Sequence, residues 1–125
     1  MNNVLKLLVL LPAILFVVIG LRWLVAPAGI APDFGLTLQE GIGLSTQIGD
    51  LSSFFLTLGI CMLIALTSQR RIWFYPPMIL LGITALGRII AWLFHDATLT
   101  VDLILVELVL TLILIVASSR LPLED

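Results

Sequence analysis

Residues 73–118 read WFYPPMILLGITALGRIIAWLFHDATLTVDLILVELVLTLILIVAS. Two long apolar runs part at His95-Asp96-Ala97-Thr98, and each is long enough to cross a hydrocarbon core of roughly 30 Å as a helix of about 20 residues. The first run opens at the aromatic cluster Trp73-Phe74-Tyr75. It takes Pro76 and Pro77 into its first turn, where missing amide donors cost little, and it reaches about Phe94. The second goes from about Thr100 to Ser118. A hairpin of membrane spans is therefore the unit from which the rest of the chain is read.

The composition of the 125 residues agrees: 61% are hydrophobic, 11% are charged, and the mean hydropathy is +1.23. Such a chain lacks the polar surface that a water-facing domain needs, and a porin-type barrel would alternate apolar and polar residues. A net charge of −2 with scattered basic residues leaves no footprint for nucleic acid. The single cysteine, Cys61, permits neither an internal disulfide nor a CxxC pair, and deep in apolar sequence it reads as packing.

Upstream of the hairpin, Val4 to Ala26 and the stretch ending at Gln69 supply two more spans. The expected fold is all-α, a single-domain antiparallel four-helix transmembrane bundle with spans at about 4–26, 48–69, 74–94 and 100–118. Lys6, Arg70, Arg71 and Arg120 then share one side, with no Lys or Arg in the opposite loops. By the positive-inside rule both termini are cytoplasmic, Asp33, Glu40 and Asp96 lie outside, and the setting is the inner membrane. Trp23 and Trp92 are expected at the outer interface, and Trp73, Phe74 and Tyr75 at the inner one. Lys6, the apolar run and Ala26-Pro27-Ala28 also fit a cleavable signal peptide. Cleavage would leave three spans, whereas the retained segment gives the even number that puts both termini on the basic side.

The outer loop, 27–47, mixes prolines and glycines with apolar residues. Thr37-Leu38-Gln39-Glu40 matches a capping box, so the loop is expected either to hold a short interfacial helix or to pack compactly on the bundle. Gly20, Gly43, Gly49, Gly59, Gly82 and Gly87 are the small residues expected to bring helices close.

Arg22, Asp50, Arg88, Asp102 and Glu107 are ionisable residues within the expected spans. Left unpaired at mid-membrane, each costs roughly 2.5–3.5 kcal/mol, so they must pair or face water. In a hairpin centred between Ala97 and Thr98, Arg88 and Glu107 are level, about 10 Å below the outer end. Thr84, Arg88, Trp92 and His95 share one face of the third span. Gln47, Asp50, Phe54, Thr57 and Cys61 make a stripe on the second, and Glu107 and Thr111 share one on the fourth. The expected network joins Arg88 to Glu107, with Arg88 also reaching toward Asp50. It reads either as an ion lock that fixes helix register or as an outward-opening polar cavity that binds a ligand or relays protons. His95 beside Asp96 fits an interfacial residue, a headgroup contact or a proton relay. No metal-ligand spacing, nucleophile elbow, phosphate loop or H-E-x-x-H is present.

Three segments carry a family likeness: Gly20-Leu21-Arg22-Trp23 with the Pro/Gly loop after it, Ser45-Thr46-Gln47-Ile48-Gly49-Asp50, and Gly87-Arg88-Ile89. Through them the chain resembles the bacterial DoxX-like membrane proteins, in particular a branch of short four-helix members. The resemblance implies an inner-membrane bundle, some of whose relatives are similar to subunits of quinone-linked sulfur oxidation or to membrane partners of redox enzymes. The polar positions it carries over are Arg22, Asp50 and Arg88, and the lack of a cysteine pair argues against a direct thiol role.

The expected function is that of a non-enzymatic binding or accessory subunit. Its recognition site is the outer cluster of Arg22, Asp50, Arg88, Trp92, His95, Asp102 and Glu107. The alternatives are a small membrane transporter, working alone or as a dimer, and a membrane subunit of a quinone-linked redox system. Four-helix exporters usually place a key Glu in the first span. Here that span has Arg22, which favours an anionic ligand or a structural pair over cation export. No catalytic residue, metal or resident cofactor is expected, quinone and lipid being the candidate small molecules. The partners are the bilayer, a membrane or redox protein, and a second copy of the chain.

Overall fold

A computed structural model describes residues 2–121; Met1 and residues 122–125, the chain ends expected in the cytoplasm, lie outside the described residues. The order of helices is α1 (Asn2–Val25), the single turn α2 (Pro27–Ile30), α3 (Ile42–Ser68), α4 (Tyr75–Phe94) and α5 (Val101–Arg120). Tight 3-10 turns at Ala31–Phe34 and Arg71–Phe74 follow α2 and precede α4. Four of these segments are long and apolar enough to cross a membrane: Asn3–Val25, Ile42–Ser68, Arg71–Phe94 and Val101–Arg120.

Helix α1 packs along α3 and α4 along α5, and the two pairs meet through α3 against α4 and α1 against α5. The α1–α3 contact is the most extensive, and two glycines there remove side chains that would hold the backbones apart. A Cβ on Gly59 would lie 2.6 Å from the Ala13 carbonyl oxygen and 2.9 Å from the Val17 nitrogen. One on Gly20 would lie 3.0 Å from the Leu56 nitrogen. Gly43 instead takes the Gln39 side chain against it, and the space beside Gly49, Gly82 and Gly87 is open, so those three do not serve the helix contacts expected of them.

The interior is filled by Val9 and Ala13 of α1, Leu58, Met62 and Ala65 of α3, Leu81 of α4, and Leu114 and Ala117 of α5. Leu7, Leu11, Ile14 and Val18 on α1, and Leu105, Val109 and Leu112 on α5, are exposed on the outer circumference. That is the pattern of helices whose solvent is hydrocarbon. Phe74 is fully buried rather than interfacial, and it anchors the start of α4 in this core. Pro76 and Pro77 occupy the first turn of α4 as expected.

Helix α3 begins at Ile42, ahead of the span expected from 48, and the connection before it is correspondingly short. The sequence 37–40 is not helical, and no side chain caps α3 at Gly41, so the capping box does not form. Gln47 takes its place. The Gln39 backbone N–H donates to Gln47 Oε1 at 2.8 Å, and Gln47 Nε2 donates to the Thr37 carbonyl at 3.0 Å. One amide thus satisfies a donor and an acceptor of an extended segment that has no ladder partner. Ile30 and Ala31 are buried and Phe34, Leu36 and Leu38 half-buried, so the compact-loop expectation describes this segment.

The turn between α4 and α5 sits where the hairpin was expected. Asp96 adopts φ 58°, and the Ala97 and His95 N–H groups both donate to the Ala91 carbonyl, at 3.1 and 3.0 Å. This left-handed closure satisfies an end carbonyl that α4 itself leaves free. From Trp92 to Leu99 every residue is exposed, so this tip stands clear of the other helices.

Candidate functional site

The residues that build the site come from every long helix. Arg88 stands on α4 and Glu107 on α5, and the Arg88 Nε–H is forked between Glu107 Oε1 at 2.9 Å and Oε2 at 3.1 Å. This is the pairing that the hairpin arithmetic anticipates. The side chains keep 30% and 13% of their surface accessible, so the pair is neither sealed nor free in solvent.

Both residues line a cavity of about 360 Å³. Its other walls are apolar: Phe16 and Ile19 from α1, Leu51, Phe55 and Leu58 from α3, Leu81 from α4, and Leu103, Val106 and Leu110 from α5. Phe34 from the 3-10 turn closes a further side. Its ring lies 5.2 Å from Phe55 and 6.1 Å from Trp23, within the range of aromatic contact, and Phe55 in turn meets Phe16 at 5.9 Å and Phe54 at 5.0 Å. Thr84 adds a hydroxyl one turn before Arg88. That hydroxyl donates to the Leu80 carbonyl at 2.7 Å and has only acceptor capacity left.

The other members of the expected cluster lie elsewhere. Arg22, in the last turn of α1, is exposed, and its terminal nitrogen donates to the Gly29 carbonyl at 3.0 Å, tying α1 to α2. Asp50 is exposed about two turns into α3 and does not meet Arg88. With Ser53, Phe54, Thr57 and Leu80 it borders a separate depression of about 330 Å³. Asp102 is exposed in the first turn of α5, where the helix dipole favours a carboxylate. Trp92, 45% exposed, and His95 belong to the protruding tip. Of the stripe expected on α3, only Phe54 reaches the cavity. The close approach of α1 at Gly59 sets the rotation of α3, which turns Leu51, Phe55 and Leu58 inward in place of Asp50 and Thr57.

Trp23 also departs from its expected place. It is fully buried under the 27–34 segment against Phe34, and its indole N–H has no acceptor among the described residues. Arg71, one of the basic residues that set the expected orientation, is half-buried: its Nε–H donates to the Ser118 carbonyl at 2.8 Å, in the last turn of α5. A cation at a helix C-terminus meets the end carbonyls that lack intrahelical donors.

Among the described residues no group of His, Cys, Asp and Glu side chains is placed to hold a metal ion. The site is a largely apolar cavity with one charged pair on its wall. No family model, curated protein or solved structure matches the chain.

Proposed function

We propose that the chain is an inner-membrane binding or accessory subunit, an antiparallel four-helix bundle with both termini cytoplasmic, whose cavity takes an apolar ligand. The observation that carries this reading is that Arg88 and Glu107 border a cavity walled by all four long helices, where a register lock needs only dry packing. The antiparallel arrangement is supported by reciprocal contacts, since Gly59 faces Ala13 and Val17 while Gly20 faces Leu56. Its orientation rests on the positive-inside rule. The DoxX-like resemblance agrees with an accessory role beside a redox enzyme.

Binding is favoured over transport because the interior beyond the cavity is filled by Val9, Met62, Ala65, Leu114 and Ala117, each buried. The test is native mass spectrometry of the protein released from its membrane, set beside the cavity-filling change Leu110→Trp. A small apolar molecule should accompany the wild type and be lost from the variant. If the wild type carries no adduct and no added apolar compound raises its thermal midpoint, the binding reading fails.

A further inference from the structure

We propose that the cavity takes a neutral apolar molecule bearing a carbonyl oxygen, which the terminal N–H groups of Arg88 hold while Glu107 cancels the charge of the guanidinium. This rests on the binding reading above and adds the chemistry of the ligand.

The first argument is a count of donors. A guanidinium offers five N–H groups, and the bond to Glu107 uses the one at Nε for both carboxylate oxygens. Among the described residues no acceptor meets the terminal nitrogens, although Arg88 lines the cavity. The common arrangement of Arg and carboxylate is a parallel two-bond fork that also engages a terminal nitrogen. Here the bond runs through Nε alone, so the terminal groups remain to be satisfied, and with 30% of the Arg88 side chain accessible they are open to an acceptor brought by a ligand. Among the lining residues Arg88 alone has donors to give, because the Thr84 hydroxyl is committed to Leu80 and the rest of the wall is hydrocarbon, aromatic or carboxylate.

The second argument is charge. Arg88 and Glu107 sum to zero, so an anionic ligand would bring an uncompensated negative charge into an apolar chamber and compete with Glu107 for the same guanidinium. A cation would meet a carboxylate whose two oxygens already accept from Nε. A neutral oxygen acceptor adds hydrogen bonds without altering the balance. Phe34, Phe54 and Phe55 supply the surface for its apolar body, and about 360 Å³ falls at the lower end of ligand pockets, roughly 300–1,000 Å³.

The experiment compares three probes of equal chain length, 2-nonanone, nonane and nonanoate, on the full chain in lipid nanodiscs by calorimetric titration. Empty nanodiscs supply the partition baseline. The ketone should bind at least about tenfold more tightly than either of the others, as expected for a hydrogen bond to a charged donor. Its carbon-13-labelled carbonyl stretch should move to lower frequency on binding. Arg88→Leu combined with Glu107→Leu should abolish both the preference and the shift while leaving nonane binding in place. Should that variant fail to fold, the probe comparison and the carbonyl shift on the wild type decide alone. Equal binding of ketone and alkane with an unshifted carbonyl would overturn the ligand chemistry but leave a binding cavity. Tightest binding by nonanoate would overturn it in favour of an anion site. Binding by none of the three would overturn the binding reading itself.

Discussion

The Nε of Arg88 lies 2.9 Å from one oxygen of Glu107 and 3.1 Å from the other, so a single N–H joins α4 to α5. Removing one partner strands the other charge beside a cavity of low polarity. Arg88→Ala is therefore expected to lower stability by about 1.5–3 kcal/mol, below the roughly 3–5 kcal/mol of a sealed pair because Arg88 remains 30% accessible. Arg88→Leu with Glu107→Leu should recover most of that loss. Thermal midpoints of the three proteins in one detergent check it, and a double variant no more stable than the single one would show that pair geometry, rather than charge balance, holds the hairpin.

At the α1–α3 crossing, Gly59→Ala should be costly, because its methyl group would press on the backbone of Ala13 and Val17 rather than on a side chain that can turn away. Overpacking of this kind costs about 1–3 kcal/mol. Gly82→Ala, with open space beside it, should be neutral or gain up to about 1 kcal/mol from helix propensity. Comparing the thermal midpoints of the two variants tests the crossing, and the opposite order would place the close approach elsewhere.

Arg71 and Arg70 are neighbours with different tasks. Arg71→Gln loses the charged bond to the Ser118 carbonyl and should cost about 1.5–3 kcal/mol, while Arg70→Gln, at an exposed position, should change stability little. Amide hydrogen exchange in the last turn of α5 should rise only in the Arg71 variant. Matching exchange in both would remove the clamp from the account.

Gln47 fixes the extended segment ahead of α3 with two hydrogen bonds. Gln47→Ala should free it, and a Glu-specific protease should then cut after Glu40 several-fold faster than in the wild type. Unchanged cleavage would mean that Leu36 and Leu38 hold the segment without help.

Alkaline phosphatase fused at the C-terminus should be inactive, and the same enzyme inserted after Glu40 should be active. An active C-terminal fusion would reverse the orientation drawn from Lys6, Arg70, Arg71 and Arg120.

Much of the fold was legible because length and hydropathy report directly on membrane spans, and because equal distance from a turn predicts which residues meet. Arg88 and Glu107 follow from that arithmetic alone. Helix rotation was not legible. Helix α1 is apolar around its whole circumference, so its contact face is chosen by the small residues Ala13 and Gly20, which hydropathy does not single out. The rotation of α3 follows from that contact, which is why Asp50 and Thr57 turn away from the cavity although they share a stripe with Phe54. Trp23 was misplaced because residue type alone cannot separate a ring at the membrane surface from one covered by a loop. Phe34, a wall of the cavity, lay in a segment whose prolines and glycines signalled only irregular backbone, and Arg71 looked like any other cytoplasmic charge.

Phe34 gives the connection between α1 and α3 a thermodynamic role beyond joining helices. Its ring belongs at once to the 27–34 segment and to the wall of the chamber. Any occupant that gains contact with this ring stabilises the packing of the segment against Phe55, and by linkage whatever loosens that packing weakens the occupant's hold by the same free energy.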